Sequence, residues 1–356
     1  MASQRLEDVR RRLSESRLQG FLVTSPPNVY YLTGFSGSSG ILFVTRDSQV
    51  LITDGRYKNQ VRSETSGIRV VVATGSLLSA LSLSNTLHKT GRVGFEAATI
   101  GYAEQQNLTK LFPRVRWVST SFVVENNRSR KDGEEVLKIR RAVEITERVF
   151  NKILAIMKAG IREIEVAAEI SYLHKSFGAE SDAFEPIVAS GIRGALPHGR
   201  ASDRKIQRGE MVTIDLGCRY QGYHSDLTRT VAIGKPSSEI RKAYKVVLEA
   251  QTMAIEHARS GISARSLDGI ARRYIKQKGY AKQFNHSLGH GIGLELHELP
   301  RISSRCTERL VENNVITIEP GIYVPGLGGV RIEDDILIRR TDCEVLSTLT
   351  RDLIIL

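Results

Sequence analysis

The sequence predicts an α/β domain over residues 1–126 followed by an α+β domain over residues 127–356. Three observations carry that reading. Residues 20–125 alternate short apolar runs with helical patterns, as a mixed α/β layer does. Residues 123–135, VVENNRSRKDGEE, mix turn formers with charge and mark a boundary. Beyond them, two pairs of helical patterns each lead into a strand–turn–strand stretch carrying two carboxylates, which points to a duplicated half.

The chain opens on a helix in which Leu6, Val9, Leu13 and Leu18 share one stripe and Gly20 is placed to stop it. Residues 20–25, 41–45, 49–53, 69–73 and 92–97 read as strands, and 77–88 and 102–112 as helices. Arg46, Asp47 and Ser48 form a turn between two of those strands.

In the second domain Val136, Ile139, Val143, Phe150, Ile153 and Met157 recur at helical spacing, Glu134 and Glu135 favour the positive helix start, and Gly160 ends the run. A second helix covers 163–177 and stops at Gly178. Residues 182–199, DAFEPIVASGIRGALPHG, read as a loop because their glycines and prolines oppose regular structure, and that loop delivers His198. Another helix pair spans 239–260 and 266–278, separated by Gly261.

Composition excludes several classes of function. The net charge of +12 is dispersed, and a single Trp leaves no aromatic interleaving for base stacking, so no nucleic-acid partner is expected. Apolar runs fall far short of the roughly 20 residues that span a bilayer, so no membrane partner is expected either. The first residues lack the apolar core of a secretory signal, and Glu7, Asp8 and Glu15 argue against an Arg-rich transit peptide. Three cysteines without CxxC spacing support neither a disulfide framework nor a zinc ribbon and fit a reducing cytoplasm.

The chemistry lies in the two carboxylate stretches. Within residues 211–230, Asp215 and Asp226 are mirror images about a turn centred between Tyr220 and Gln221. In that register they face each other across a hairpin with Cβ atoms about 5 Å apart. Like charges so placed repel, so a cation lies between them, one carboxyl stays protonated, or the register is bulged. Within residues 315–337, Glu319 and Glu333 are mirror images about Gly326. Between the hairpins His290 is flanked by Gly289 and Gly291, which lets the backbone approach an ion or substrate closely. Carboxylates in apolar strand arms are costly to bury unless they are paired or hold metal, which favours the cation. Hard oxygen donors with one imidazole suit divalent manganese, and cobalt and zinc also bind such sets. No GxGxxG, Walker A or GxSxG motif occurs, and Arg301 breaks an HExxH reading at His297.

The order Asp215, Asp226, His290, Glu319, Glu333, together with PHG at 197–199, HE-L-P at 297–300, EPGIY at 319–323 and VRIED at 330–334, resembles the dinuclear metallopeptidases of the pita-bread fold. The branch it resembles is that of Xaa-Pro aminopeptidase and Xaa-Pro dipeptidase (prolidase). The resemblance covers nearly the whole chain, with residues 28–35 and 53–57 similar to that family's amino-terminal domain. It implies a creatinase/prolidase-type α/β domain followed by a pita-bread catalytic domain with pseudo-twofold halves. It also implies hydrolysis of the bond between an N-terminal residue and proline, and a homodimer in which the amino-terminal domain reaches a neighbouring subunit's pocket.

By the same resemblance Asp226 and Glu333 bridge two divalent ions, manganese first, with Asp215 completing one and His290 with Glu319 the other. Glu319 matches the proton shuttle, and His198 and His297 match the pocket histidines that hold the substrate carbonyl. His286 lines the same pocket, Tyr323 and Arg331 orient the carboxylates, and Arg301 is placed to bind a substrate carboxylate. Aminopeptidase action is the first expectation, with dipeptidase its rival. The creatinase branch works without metal and lacks this ligand set, methionine aminopeptidases lack the amino-terminal domain, and non-catalytic pita-bread binding proteins have typically lost ligands.

Overall fold

The computed structural model describes residues 2–84 and 91–356, which form two compact units, Met1–Arg128 and Ser129–Leu356. The boundary expected at 126/127 falls inside α6 (Glu125–Arg128), the last helix of the first unit.

In the first unit α1 (Ala2–Glu15) buries Leu6, Val9 and Leu13. The helix stops earlier than its apolar stripe suggests. Arg17 turns left-handed at φ 54°, and the amides of Arg17 and Leu18 close back onto the carbonyls of Ser14 and Leu13. Leu18 is therefore the apolar contact of a Schellman cap, and Gly20 begins a strand instead of ending the helix. After β1 (Gly20–Val23) comes α2 (Pro26–Thr33), a helix the sequence reading did not assign. Its paired prolines suit a first turn, and Gly34 closes it in the left-handed region at φ 79°.

The order then runs β2 (Gly40–Thr45), β3 (Gln49–Asp54), α3 (Lys58–Glu64), β4 (Arg69–Ala73), α4 (Leu77–Leu83), β5 (Arg92–Glu96), α5 (Tyr102–Leu111) and β6 (Arg116–Thr120). The part of the expected 77–88 helix beyond residue 84 lies outside the described residues. One mixed sheet results, ordered β4-β3-β2-β1-β5-β6, with β2 and β3 joined by the expected hairpin. Strand β6 and helix α3 were also unassigned from sequence.

The second unit begins with α7 (Gly133–Leu154). Asp132 accepts from the Glu135 amide at 2.9 Å while the Glu135 carboxylate accepts from the Asp132 amide at 2.8 Å, a reciprocal cap worth about 1 kcal/mol. The helix ends at Leu154, and Gly160 instead shapes the turn into α8 (Glu163–Ser176) at φ 93°. Contrary to the expected loop over 182–199, residues Ile187–Ser190 form a buried strand, β8, after the short β7 (Ser181–Asp182). Four apolar or small residues between Pro186 and Gly191 suffice for it, because β8 lies at the end of a sheet ordered β12-β9-β8 and needs only one partner.

The first carboxylate hairpin comprises β9 (Met211–Leu216), β10 (Cys218–Tyr220), β11 (Tyr223–His224) and β12 (Leu227–Ala232). Its register differs from the mirror expectation. Asp215 pairs with Thr228, and Tyr220 pairs with Tyr223 across a two-residue turn whose Gln221 and Gly222 have φ 47° and 82°. Such a turn demands positive φ at both central residues, and Gly222 supplies the easier one. The two aspartates are consequently offset and not directly opposite, since Asp226 lies two residues before Thr228, in the break between β11 and β12.

Helices α9 (Ser238–His257) and α10 (Ala264–Gln277) precede β13 (Gly289–Gly291), β14 (Glu298–Ile302) and the second hairpin. That hairpin holds β15 (Val315–Ile318), β16 (Gly321–Val324), β17 (Gly328–Arg331) and β18 (Asp334–Ile338), with β19 (Cys343–Val345) on its outer side. The mirror register about Gly326 is the observed one, Ile318 pairing with Asp334 and Gly321 with Arg331. Glu319 and Glu333 fall in the gap between those ladders, where the arms open.

Each half packs its helix pair on its hairpin. Ile139, Ile145, Val149, Phe150 and Ile153 of α7 are buried, and several of them join Ile214, Leu216 and Val231 in one core. Val247, Ala250, Leu267 and Ile275 join Ile316, Ile318 and Ile336 in the other. Each Val, Leu, Ile or Phe side chain among them contributes about 1.5–3 kcal/mol by leaving water. The cores flank the seam where β12 meets the second hairpin, held by the Glu333 amide on the Thr228 carbonyl at 3.1 Å and the Arg331 amide on Thr230 Oγ1 at 3.1 Å.

Candidate active site

The seam concentrates acid where water is scarce. Asp215, Asp226, His290 and Glu333 are all buried, while Glu319 is partly exposed. Ligand atoms of Asp226, His290 and Glu333 lie within 4.8 Å of one another. His290 Nε2 is 3.6 Å from Asp226 Oδ2 and 3.5 Å from Glu319 Oε1. Its Nδ1 donates to the Gly291 carbonyl at 3.0 Å, which leaves Nε2 as the ring nitrogen that faces the carboxylates. Asp215 stands outside the 4.8 Å group: Arg331 Nη2 donates to its Oδ2 at 2.6 Å.

The orphaned oxygens decide what the cluster is built for. Asp215 Oδ1, Asp226 Oδ1 and Glu333 Oε1 are buried with no hydrogen-bond partner. Burial, then repulsion from Asp215, pushes the Asp226 carboxyl well above its ordinary range; burial, then Asp226, does the same to Glu333. Bare, the cluster must hold protons; with divalent cations among these oxygens and the imidazole, it need not. The donor set therefore fits metal, with Asp215, Asp226, His290, Glu319 and Glu333 to hold it.

Glycine has a different reason here from the one the sequence suggested. A Cβ on Gly289 would lie 2.0 Å from the Thr317 carbonyl oxygen, and one on Gly291 would lie 2.2 Å from that of Leu299. The space these glycines leave is filled by neighbouring strand backbone, and it lets β13 sit between β14 and β15.

Arg331 is buried beside Asp215. Besides Asp215 it reaches the Tyr323 hydroxyl at 2.7 Å, Thr228 Oγ1 at 3.0 Å and the Pro197 carbonyl at 3.1 Å. Burial pushes the Tyr323 phenol up to about 12, so it stays protonated. His286 is committed on both ring nitrogens, Nδ1 donating to the Ser287 carbonyl at 2.8 Å and Nε2 accepting from Tyr323 at 3.0 Å. It thus props Tyr323. His198 and His297 are exposed, and the His297 ring meets the His290 ring edge-on with centroids 4.3 Å apart. Arg301 is exposed on strand β14, not in a loop.

Residues 137–340 match metallopeptidase family M24, and residues 5–130 match the creatinase/prolidase N-terminal domain. The chain belongs to metallopeptidase family M24. Over 351 residues it is 40% identical to the Xaa-Pro dipeptidase of Pyrococcus furiosus, covering 99% of each chain. The solved structure of an Xaa-Pro dipeptidase from Bacillus anthracis matches with a TM-score of 0.97 at 37% identity over 100% of both chains. That of an X-Pro aminopeptidase from Thermotoga maritima matches at 0.90 and 38% identity, covering 97% of this chain and all of that one. The architecture is the pita-bread fold behind a creatinase-type domain.

Two contributors to this M24 site escaped the sequence reading. Thr228 donates to Glu333 Oε2 at 2.7 Å, so the residue paired with Asp215 also fixes a carboxylate of the other hairpin. Asp335 Oδ2 accepts the Asp226 amide at 3.0 Å, and burial pushes its carboxyl up to about 8. The run Glu333-Asp334-Asp335 inside an apolar arm was the available signal: Asp334 is spent on a buried pair with Arg229 at 2.7 Å, and Asp335 on Asp226.

Proposed function

We propose that this chain is a metal-dependent exopeptidase that cleaves the bond between an N-terminal residue and proline, with Xaa-Pro dipeptides its preferred substrates. The observation that carries the reading is the buried carboxylate seam, in which Asp226 and Glu333 group with His290 and these two and Asp215 each keep an oxygen without a hydrogen-bond partner. Asp215, Asp226, His290, Glu319 and Glu333 would together hold divalent metal. Manganese suits these hard donors. Metal held there would supply Lewis-acid polarisation of the scissile carbonyl and lower the pKa of a bound water.

The chain's own groups do the rest. A Glu319 oxygen takes the proton of the attacking water and returns it to the departing proline nitrogen. His198 and His297 donate to the carbonyl oxygen as charge develops on it. Arg331 holds Asp215 and Tyr323 so that ligands and pocket wall keep one geometry.

Substrate length turns on Arg301. It is exposed on the same strand-and-loop segment as His297, and among the described residues its side chain makes no hydrogen bond or ion pair. An uncommitted guanidinium there suits the carboxylate of a dipeptide. Kinetics of a Xaa-Pro dipeptide and a Xaa-Pro-Yaa tripeptide under manganese test this: Arg301→Ala should raise KM severalfold for the dipeptide and spare the tripeptide. Equal behaviour on both substrates removes the carboxylate role, and a wild-type preference for the tripeptide makes the enzyme an aminopeptidase.

A further inference from the structure

We propose that Glu163 is a positioning residue for His198, acting by clamping both ends of the loop that carries it. The proposal rests on the reading of His198 as a donor to the substrate carbonyl. Glu163 opens α8 and is fully buried. None of its carboxylate contacts described below serves that helix. Oε1 accepts from the Ser190 amide at 2.8 Å and its hydroxyl at 2.7 Å. Oε2 accepts from the Ser202 amide at 3.1 Å and its hydroxyl at 2.6 Å, and from Arg193 Nε at 3.0 Å. One carboxylate thus ties residue 190, where β8 ends, to residue 202, beyond the loop.

The span between is tied from within as well. Arg193 reaches on from Glu163 to the Arg200 carbonyl, and the Pro197 carbonyl accepts from Arg331 Nη1 at 3.1 Å. Arg331 in turn holds Asp215. His198 itself is exposed and makes no hydrogen bond among the described residues, so its placement comes from its backbone. A buried carboxylate is costly unless its lone pairs are well used. A serine or aspartate cap would satisfy a helix start; five donors converging from residues 190, 193 and 202 are what a loop clamp needs.

The test is a double-mutant cycle on the manganese-loaded enzyme with Glu163→Gln, His198→Ala and both together, measuring kcat, KM, metal content and Tm for each. Glu163→Gln puts donors where acceptors are needed, and it should lower kcat about 10–100-fold with KM nearly unchanged and metal content full. In the His198→Ala background the same change should cost less than about twofold, because the group it positions is gone. Equal losses in both backgrounds would show a purely structural role and overturn the proposal, as would an unchanged kcat. Should Glu163→Gln fail to fold, Ser202→Ala removes a single hydroxyl donor and should give a smaller loss of about 3–10-fold that also vanishes in the His198→Ala background. Wild-type turnover by His198→Ala alone would sink the reading of His198, and the clamp with it.

Discussion

His286 shows how a side chain without a catalytic step can still carry a measurable signature. Its Nδ1 donates to the Ser287 carbonyl, which only accepts, so in the neutral ring Nε2 is left to accept from Tyr323. Burial, then the Arg331 cation, pushes its pKa from 6.5 down to about 4. The fold prefers the neutral form, so the unfolded chain takes up the proton first as pH falls. The resulting stabilisation is complete above about pH 6.5 and is lost progressively towards pH 4, to a ceiling of about 3 kcal/mol. We expect the stability advantage of the wild type over His286→Gln, measured by urea denaturation in excess chelator, to shrink by about 2–3 kcal/mol between about pH 7.5 and about pH 4.5. An advantage constant across that range would mean that His286 is not held neutral. The sequence named His286 through its neighbourhood; what it could not display is the Tyr323 hydroxyl 37 positions away.

Strands and hairpins bring the five candidate ligands to one seam, and the two hairpins were legible to different degrees. In the second, a Pro-Gly turn and the mirror placement of Glu319 and Glu333 agree, and the observed register follows both. In the first, carboxylate symmetry placed the turn one residue too early, whereas the positive φ values of Gln221 and Gly222 set it. Turn chemistry outranks side-chain symmetry in choosing register. Strand β8 and the Glu163 clamp were illegible for another reason: their partners come from distant segments, Met211–Leu216 for the strand and residues 190–202 for the carboxylate.

The β13 glycines supply the test at this scale. Gly289→Ala would press a methyl group against the Thr317 carbonyl, so the strand bearing His290 must shift. We expect a loss of 1–3 kcal/mol or more in stability, with weakened metal retention measured by equilibrium dialysis. Full metal content at wild-type stability would show that β13 tolerates the shift and that the close packing is incidental.

At the scale of the whole catalytic unit, two helix-backed cores hold two hairpins edge to edge, and the seam between them carries more buried negative charge than protein groups alone neutralise. Arg331 answers one of the two Asp215 oxygens, and His290, its Nδ1 spent on the Gly291 carbonyl, turns only Nε2 to the carboxylates. Cations binding the folded chain in preference to the unfolded one would stabilise it by mass action as well as activate it. The most direct measurement strips the protein with chelator and adds manganese back in steps, following cleavage of a Xaa-Pro dipeptide and Tm together. The account predicts no turnover in the stripped protein, and recovery of activity and Tm that saturates near two ions per chain. Cleavage of Xaa-Pro bonds at the original rate by fully stripped protein would contradict it.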